Sequence, residues 1–283
     1  MSSSYTIELI ETSAELNEAV SSIFDRKVRS VAFDLEGESN RFRYGHHLCL
    51  AQVFDGETCL IIDTVEIANL SALKKLLTSY DVEKVMFAAD FDARLIRYAL
   101  GEPLQNIFDI QIAARVLEFE KLSLDYIIGV LLDKEMSFDK AMQNANWNLR
   151  PLKERQIKYA AEDVLHLLEP AQLLKKELAR ARMMKPCHDA NLALTNLEFK
   201  KEGLSNKVMQ LSKHFKKEER DRLKKLHEAR DEIARELDLP PYRVFDNDIL
   251  INASKRPPKN AAEWKNLKGF PTMSYRYVDR LLV

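Results

Sequence analysis

No stretch of this chain approaches the roughly 18 consecutive apolar residues that a membrane-spanning helix requires, so no span is expected. The opening residues, MSSSYTIELIETS, lack the basic stretch and apolar core of a secretory leader, and none is expected there. Cysteine is scarce. Cys49, Cys59 and Cys187 are odd in number, with no CxxC spacing and no nearby histidine partner, which argues against a disulfide framework or a zinc site. That usage fits a reducing compartment, the cytoplasm. Internal repeats and low-complexity tracts are lacking as well. What is present is the balance of a soluble globular protein, 46% hydrophobic and 31% charged, over 283 residues. Such a length suits about two domains and can bury an ordinary core without covalent or metal staples.

Net charge is also nearly absent, at −1, because two unlike halves cancel. Residues 1–170 hold 18 Lys and Arg against 28 Asp and Glu, whereas residues 171–283 hold 25 against 16. An acidic half could concentrate cations and a basic half could hold a polyanion. The plainer alternative is a chance partition of charge between solvated surfaces.

Hydrophobic patterning divides the chain in the same place. Tyr5–Ile10 reads as a strand, Ser13–Phe24 as a helix capped by Thr12 or Ser13, and Val28–Leu35 as an apolar strand. Leu48–Phe54 and Thr58–Ile62 flank Asp55-Gly56, a hairpin signal. Helices over Ser71–Ser79, Asp90–Leu100, Ile110–Phe119, Leu122–Leu132 and Leu152–Lys176 alternate with strands at Lys84–Ala88 and Asn106–Phe108. The expectation is a mixed sheet sandwiched by helices. After about Arg182 strand patterning ends. Residues 185–202 have weak helical spacing, and from Ser205 the chain reads as a basic helical bundle broken at Pro240-Pro241 and Pro257-Pro258.

Carboxylates gather at three points. Asp34 and Glu36 end the strand Val28–Leu35 two residues apart, so both side chains leave one face. Like charges held so close call for a cation or a shared proton between them. Gly37 behind them permits close approach of backbone or ligand. Asp90 is expected to cap the helix it precedes, while Asp92 in the first turn could serve a site or merely the helix dipole. Tyr159 and Asp163 lie one turn apart on a helix, with small Ala160 and Ala161 between them, and Glu162 points elsewhere. That pair reads equally as packing with a surface charge or as a hydroxyl held over a metal-bound water.

Together, Phe33-Asp34-Leu35-Glu36, Phe91-Asp92 with Leu95, and Tyr159-Ala160-Ala161-Glu162-Asp163 resemble the motifs of the DEDDy exonucleases, and of the ribonuclease D family in particular. Phe108-Asp109-Ile110-Gln111-Ile112-Ala113-Ala114 and Trp147-Asn148-Leu149-Arg150-Pro151-Leu152 extend the resemblance over nearly all of residues 5–180. It implies a ribonuclease H-like α/β domain over residues 1–182 and a site for two divalent cations, Mg2+ or Mn2+. Asp34 would bridge both ions, Glu36 and Asp163 would hold the one carrying the attacking water, Asp92 would help bind the other, and Tyr159 would orient the water. Two such ions would lower the pKa of the water and stabilise the leaving oxygen. Oxygen-only ligands suit those cations rather than zinc. The chain departs from the family at Phe87 and Ala88, where a polar His or Asn is common, and over Asp139–Asn146, which is less rich in hydroxyls and charge. Both departures bear on substrate preference rather than on metal ligands.

Loop residues Arg41, Phe42, Arg43 and Tyr44 could stack bases and contact phosphates, or tuck against the sheet. His46 and His47 have no partner at ligand spacing. Lys200–Lys225 holds ten Lys and Arg against four acids, including Lys213, Lys216 and Lys217 as candidate phosphate contacts. With Leu226–Arg235, Leu239–Val244 and Gly269-Phe270-Pro271, this stretch resembles an HRDC domain, which implies an all-α nucleic-acid-binding module over residues 205–283 joined by a connection at 183–204. The chain has room for one. The function implied is 3′–5′ exoribonucleolytic release of nucleoside 5′-monophosphates from single-stranded RNA 3′ ends, with tRNA precursors as the family-implied substrate. A DNA-directed exonuclease of the same mechanism, or a catalytically silent RNA-binding protein, are the alternatives; no protein partner is inferable.

Overall fold

The computed structural model describes residues 5–136, 139, 142–199 and 206–282. They fall into two compact units, one within residues 5–37 and 47–199, the other within residues 38–46 and 206–282. No helix among the described residues is long and apolar enough to cross a membrane.

In the first unit, strands β1 (Thr6–Ile10), β2 (Ser30–Ser39), β3 (His46–Phe54), β4 (Thr58–Ile62), β5 (Glu83–Met86) and β6 (Ile107–Asp109) build one sheet in the order β1-β4-β3-β2-β5-β6. β1 is parallel to β4, β3 is antiparallel to β4, and β2, β5 and β6 are parallel neighbours. Helices α1 (Ser13–Asp25), α2 (Ser71–Thr78) and α3 (Asp90–Leu100) cover one face. The other face carries α4 (Ile110–Val116), α5 (Leu124–Leu132), α6 (Glu154–Leu165), α7 (Leu168–Arg180) and α8 (Met184–Leu194).

Alternation along β2 decides which layer each side chain meets. Val31, Phe33 and Leu35 join the core beneath α1–α3, with Leu16, Leu73 and Ile96. Ala32 joins the opposite core, with Ala160 and Leu174. Asp34 and Glu36 share the parity of Ala32, so they face the layer that contains α6.

Several boundaries differ from the sequence reading. Leu152–Lys176 is two helices, because Pro170 in the first turn of α7 would clash with the His166 carbonyl if α6 ran on. Thr12 caps α1, and Glu15 returns the bond to the Thr12 backbone N–H. Asp90 does not cap α3. Ala89 holds the cap position, Asp90 begins the helix and pairs with Arg94 at 2.9 Å, and the donors before the helix go elsewhere. Residues 183–199, expected within a connection, include α8, whose Cys187, Asn191 and Leu194 are buried at helical spacing. Residues 200–205 lie outside the described residues, including Ser205, the expected start of the helical module, and Lys200, Lys201 and Glu202 of the basic run, as do Lys140 and Ala141 ahead of Trp147.

Gly37 shows what the close approach at the end of β2 is for. A Cβ there would stand 2.1 Å from Leu95 Cδ2 and 3.3 Å from Phe91 Cε1, so the bare backbone seats α3 rather than a ligand.

The second unit packs α9 (Asn206–Leu211), α10 (Lys217–Leu237), α11 (Pro241–Val244), α12 (Asn247–Lys255), α13 (Ala261–Lys265) and a 3-10 helix over Thr272–Leu281. Leu226, Ile233, Phe245, Leu250 and Trp264 form its core, with Phe245, Trp264 and Phe270 in mutual ring contact.

Gly37→Ala is expected to cost about 1–3 kcal/mol in chemical denaturation, because Leu95 must leave its place; a loss under about 0.5 kcal/mol would show that α3 is not seated by this contact.

Candidate active site

Four carboxylates from three elements converge beside the C-terminal end of β2. Asp34 and Glu36 come from that strand, Asp92 from the first turn of α3, and Asp163 from α6. Asp34, Glu36, Asp163 and Tyr159 line a cavity of about 810 Å3. Asp92 is buried (8% exposed).

Burial dominates the electrostatics. Desolvation, opposed by a hydrogen bond from the Leu35 backbone, pushes the Asp34 carboxyl up to about 7. Desolvation and then the charge of Asp34 push Asp163 up to about 8. Glu36 is pushed to about 10, first by desolvation and then by Asp34, Asp163 and Asp92. Asp92 is raised well above the carboxylate range by the same causes, desolvation first and Asp34 next. The mutual repulsion foreseen from the sequence is therefore present, but burial is the larger cause. The Tyr159 hydroxyl donates to Asp163, and desolvation together with Asp163, Glu36 and Asp34 raises its pKa above that of a free phenol.

Among the described residues no group of three or more His, Cys, Asp or Glu side chains is arranged to hold an ion as it stands. The donor set nonetheless fits hard divalent cations. All four groups offer oxygen only, and all four are held where ionisation is opposed, so an added positive charge relieves both burial and repulsion.

Residues to which the sequence assigned no role of their own hold these groups in place. Asp109, 2% exposed, accepts hydrogen bonds from the backbone of Ala88 (3.3 Å), Ala89 (2.8 Å), Gln111 (2.7 Å) and Ile112 (3.1 Å). It thereby caps α4 and satisfies the turn before α3, the task expected of Asp90. That turn includes Ala88 at φ +55°, a left-handed conformation costly for a residue with a Cβ. Asn191 on α8 accepts from the Asp109 backbone at 2.8 Å. An aspartate directly before a helical run was the available signal for Asp109; nothing in the pattern announced Asn191. On the α6 side, Arg150 pairs with Asp63 and donates to the Cys49 and Trp147 carbonyls at 2.9 and 2.8 Å. This clamps the segment that sets Trp147 6.1 Å from the Tyr159 ring.

The remaining candidates lie in the second unit. Arg43 pairs with Asp238 at 2.8 Å, and the Tyr44 hydroxyl donates to Asp231 at 2.8 Å while Arg235 lies over its ring. Arg41 lies over the Phe42 ring, and its carbonyl accepts from the Tyr242 hydroxyl. Arg43 and Tyr44 are thus engaged within that unit. Lys213, Lys216 and Lys217 are exposed at and just before the start of α10.

Comparison with known proteins decides the family. The sequence profile described as 3′–5′ exonuclease matches residues 7–179, which contain all four carboxylates and Tyr159. The chain belongs to the 3′–5′ exonuclease family. The HRDC domain profile matches residues 219–282 of this family member. A ribonuclease D from Gluconacetobacter diazotrophicus is 34% identical over 174 residues, 61% of this chain and 43% of that protein. The chain spans about half the length of the curated relatives it matches. The catalytic core of RRP6 from Trypanosoma brucei superposes with a TM-score of 0.84 at 22% identity, covering 98% of this chain and 78% of that one, and shows the shared fold. Brucella melitensis NrnC, solved with bound Mg2+, gives 0.55 at 26% identity over 67% of this chain and 90% of that one.

The raised carboxyl pKa values set the sign of a stability effect. The unfolded chain ionises these acids near 4, the folded chain only through about 7 to 10, so the metal-free protein is expected to lose stability as pH rises across that window. Mg2+ should raise the melting temperature more at pH 8 than at pH 6, and Asp34→Asn should flatten the pH decline and remove most of the Mg2+ gain. Thermal unfolding at both pH values checks this; an equal Mg2+ gain at both would contradict it.

Proposed function

We propose that this exonuclease-family protein is a metal-dependent 3′–5′ exoribonuclease, releasing nucleoside 5′-monophosphates from RNA 3′ ends. The observation that carries the reading is the set of three half-buried carboxylates lining one cavity, Asp34, Glu36 and Asp163, with the buried Asp92 within reach of Asp34 and a tyrosine hydroxyl hydrogen-bonded to Asp163. RNA as substrate is supported by the ribonuclease D relatives, and Mg2+ by the NrnC structure that holds it. Two cations, Mg2+ or Mn2+, are proposed, with Asp34, Glu36, Asp92 and Asp163 as their ligands. When bound, such ions supply an acidified water and charge neutralisation at the phosphodiester.

The chain's own residues then have separable tasks. Asp34 would be shared by the two cations, Glu36 and Asp163 would help hold the one that activates water, and Asp92 would help hold the other. The raised pKa of Tyr159 keeps its phenol protonated; with that proton donated to Asp163, the hydroxyl oxygen would orient the attacking water by accepting a hydrogen bond from it, not by acting as a base. Asp109 and Arg150 keep the first turn of α3 and the start of α6 at fixed positions. We assign catalysis to residues 5–199 and nucleic-acid affinity to the helical residues 206–282, with Lys213, Lys216 and Lys217 contacting phosphates. Processing of tRNA 3′ ends in the cytoplasm fits the ribonuclease D relatives and the three buried cysteine thiols.

A time course on 5′-labelled single-stranded RNA with Mg2+ should give a one-nucleotide ladder shortening from the 3′ end, absent with EDTA and in Asp34→Asn. Intact RNA that still shifts on a gel would sink the enzyme reading. Tyr159→Phe should lower turnover by about tenfold or more with Mg2+ affinity little changed; an unaltered rate removes Tyr159 from the mechanism. Replacing Lys213, Lys216 and Lys217 with Ala should weaken RNA binding and flatten its salt dependence, by a slope of about 0.7 per lost phosphate contact. An unchanged slope would mean these lysines face no phosphate.

A further inference from the structure

The acidic residues are only one side of the cavity. Phe87, Leu122, Leu124 and Met136 also line it, giving an apolar wall within the space that holds Asp34 and Asp163. Phe87 packs against the core beneath α4–α7 and is half-buried, so the ring has both a fixed backing and an accessible side. Its backbone is equally constrained, because the next residue, Ala88, is held left-handed by the buried Asp109. Of the polar groups beside this wall, Gln111 donates its amide to the Leu122 carbonyl at 3.2 Å and accepts from Arg115 at 3.3 Å. Ser123, Asp125 and Gln143, which also line the cavity, are exposed to water.

We infer that Phe87 is the stacking face for the 3′-terminal base of the substrate, so that this chain holds a polynucleotide end by ring contact rather than by reading base edges. The inference rests on the nuclease reading above and adds the means of grip. A phosphodiester placed at the carboxylates carries its base into the remainder of an 810 Å3 cavity, where the wall is apolar and aromatic. Every base has a flat face that stacks on an aromatic ring, whereas discrimination among bases needs buried donors and acceptors aimed at their edges. This wall offers the first and little of the second, because Ser123, Asp125 and Gln143 are exposed rather than buried and two of the bonding positions of Gln111 are taken. The polar-to-Phe departure noted in the sequence at position 87 thereby acquires a purpose: tolerance of any terminal base.

The test compares wild type with Phe87→Leu, which keeps apolar contact with the core, and Phe87→Trp, which keeps a ring. Substrates are 5′-labelled RNAs ending in A, G, C or U, and one whose terminal ribose lacks a base. Wild type should cleave the four based ends within a few-fold of one another, and the abasic end should raise KM by about tenfold with kcat little changed. In Phe87→Leu the difference between based and abasic ends should collapse, while Phe87→Trp should retain it. A full difference surviving in Phe87→Leu, or a preference above a hundredfold for one base, would overturn the inference.

A second arm uses RNA with 2-aminopurine as its 3′-terminal base and a non-hydrolysable terminal linkage, bound to saturation with Mg2+ so that no cleavage intervenes. Quenching on wild type and on Phe87→Trp, lost on Phe87→Leu, supports stacking at this ring. Equal quenching on all three sinks the inference alone. Absence of cleavage by wild type in the first arm sinks the nuclease reading instead, so the two failures are distinguishable.

Discussion

Placing Asp34, Glu36 and Asp163 along one cavity, with Asp92 buried beside Asp34, takes four carboxylates partly out of water and sets them against one another. Desolvation is the larger penalty at each of them and repulsion adds to it at Glu36, Asp92 and Asp163. Such an arrangement persists only where surrounding contacts over-determine it. Gly37 lets Leu95 press against the end of β2, Asp109 ties the turn before α3, and Arg150 clamps the segment leading into α6. Each of these contacts lies outside the cavity, yet each fixes an element that delivers an acid to it. The sheet unit is thus a frame that holds charge where charge is disfavoured, and a hard cation is the natural complement.

Much of this was readable from spacing alone. A period of two puts Asp34 and Glu36 on one face, and a helical turn puts Tyr159 with Asp163; both follow from backbone geometry and needed no tertiary knowledge. The supporting residues were harder. Asp90 and Asp109 each precede or begin a helix, and propensity alone favours Asp90 as a cap. The left-handed Ala88 reverses that choice, because it turns the backbone donors toward Asp109, which is distant in sequence. The role of Gly37 depends on where Leu95 falls, and that of Asn191 on α8 lying against β6. Long-range packing of this kind leaves no trace in local periodicity.

The loop at residues 38–46 makes the same point in the helical unit. Arg41–Tyr44 carry the residue types that stack bases and grip phosphates, but Arg43 and Tyr44 are bound to Asp238, Asp231 and Arg235. Composition identifies what a side chain can do, and the partners it already has decide what it does. Lys213, Lys216 and Lys217 are exposed and remain suited to a polyanion.

We propose that these four acids, held partly protonated by burial, form a cation site. Calorimetric titration of Mg2+ into the full chain at pH 7, repeated in two buffers of different ionisation enthalpy, checks this. Binding must displace protons from carboxyls raised to about 7, 8 and 10, so about one proton or more per chain should be released, falling sharply in Asp34→Asn. Binding without proton release, or binding undiminished in Asp34→Asn, would contradict it.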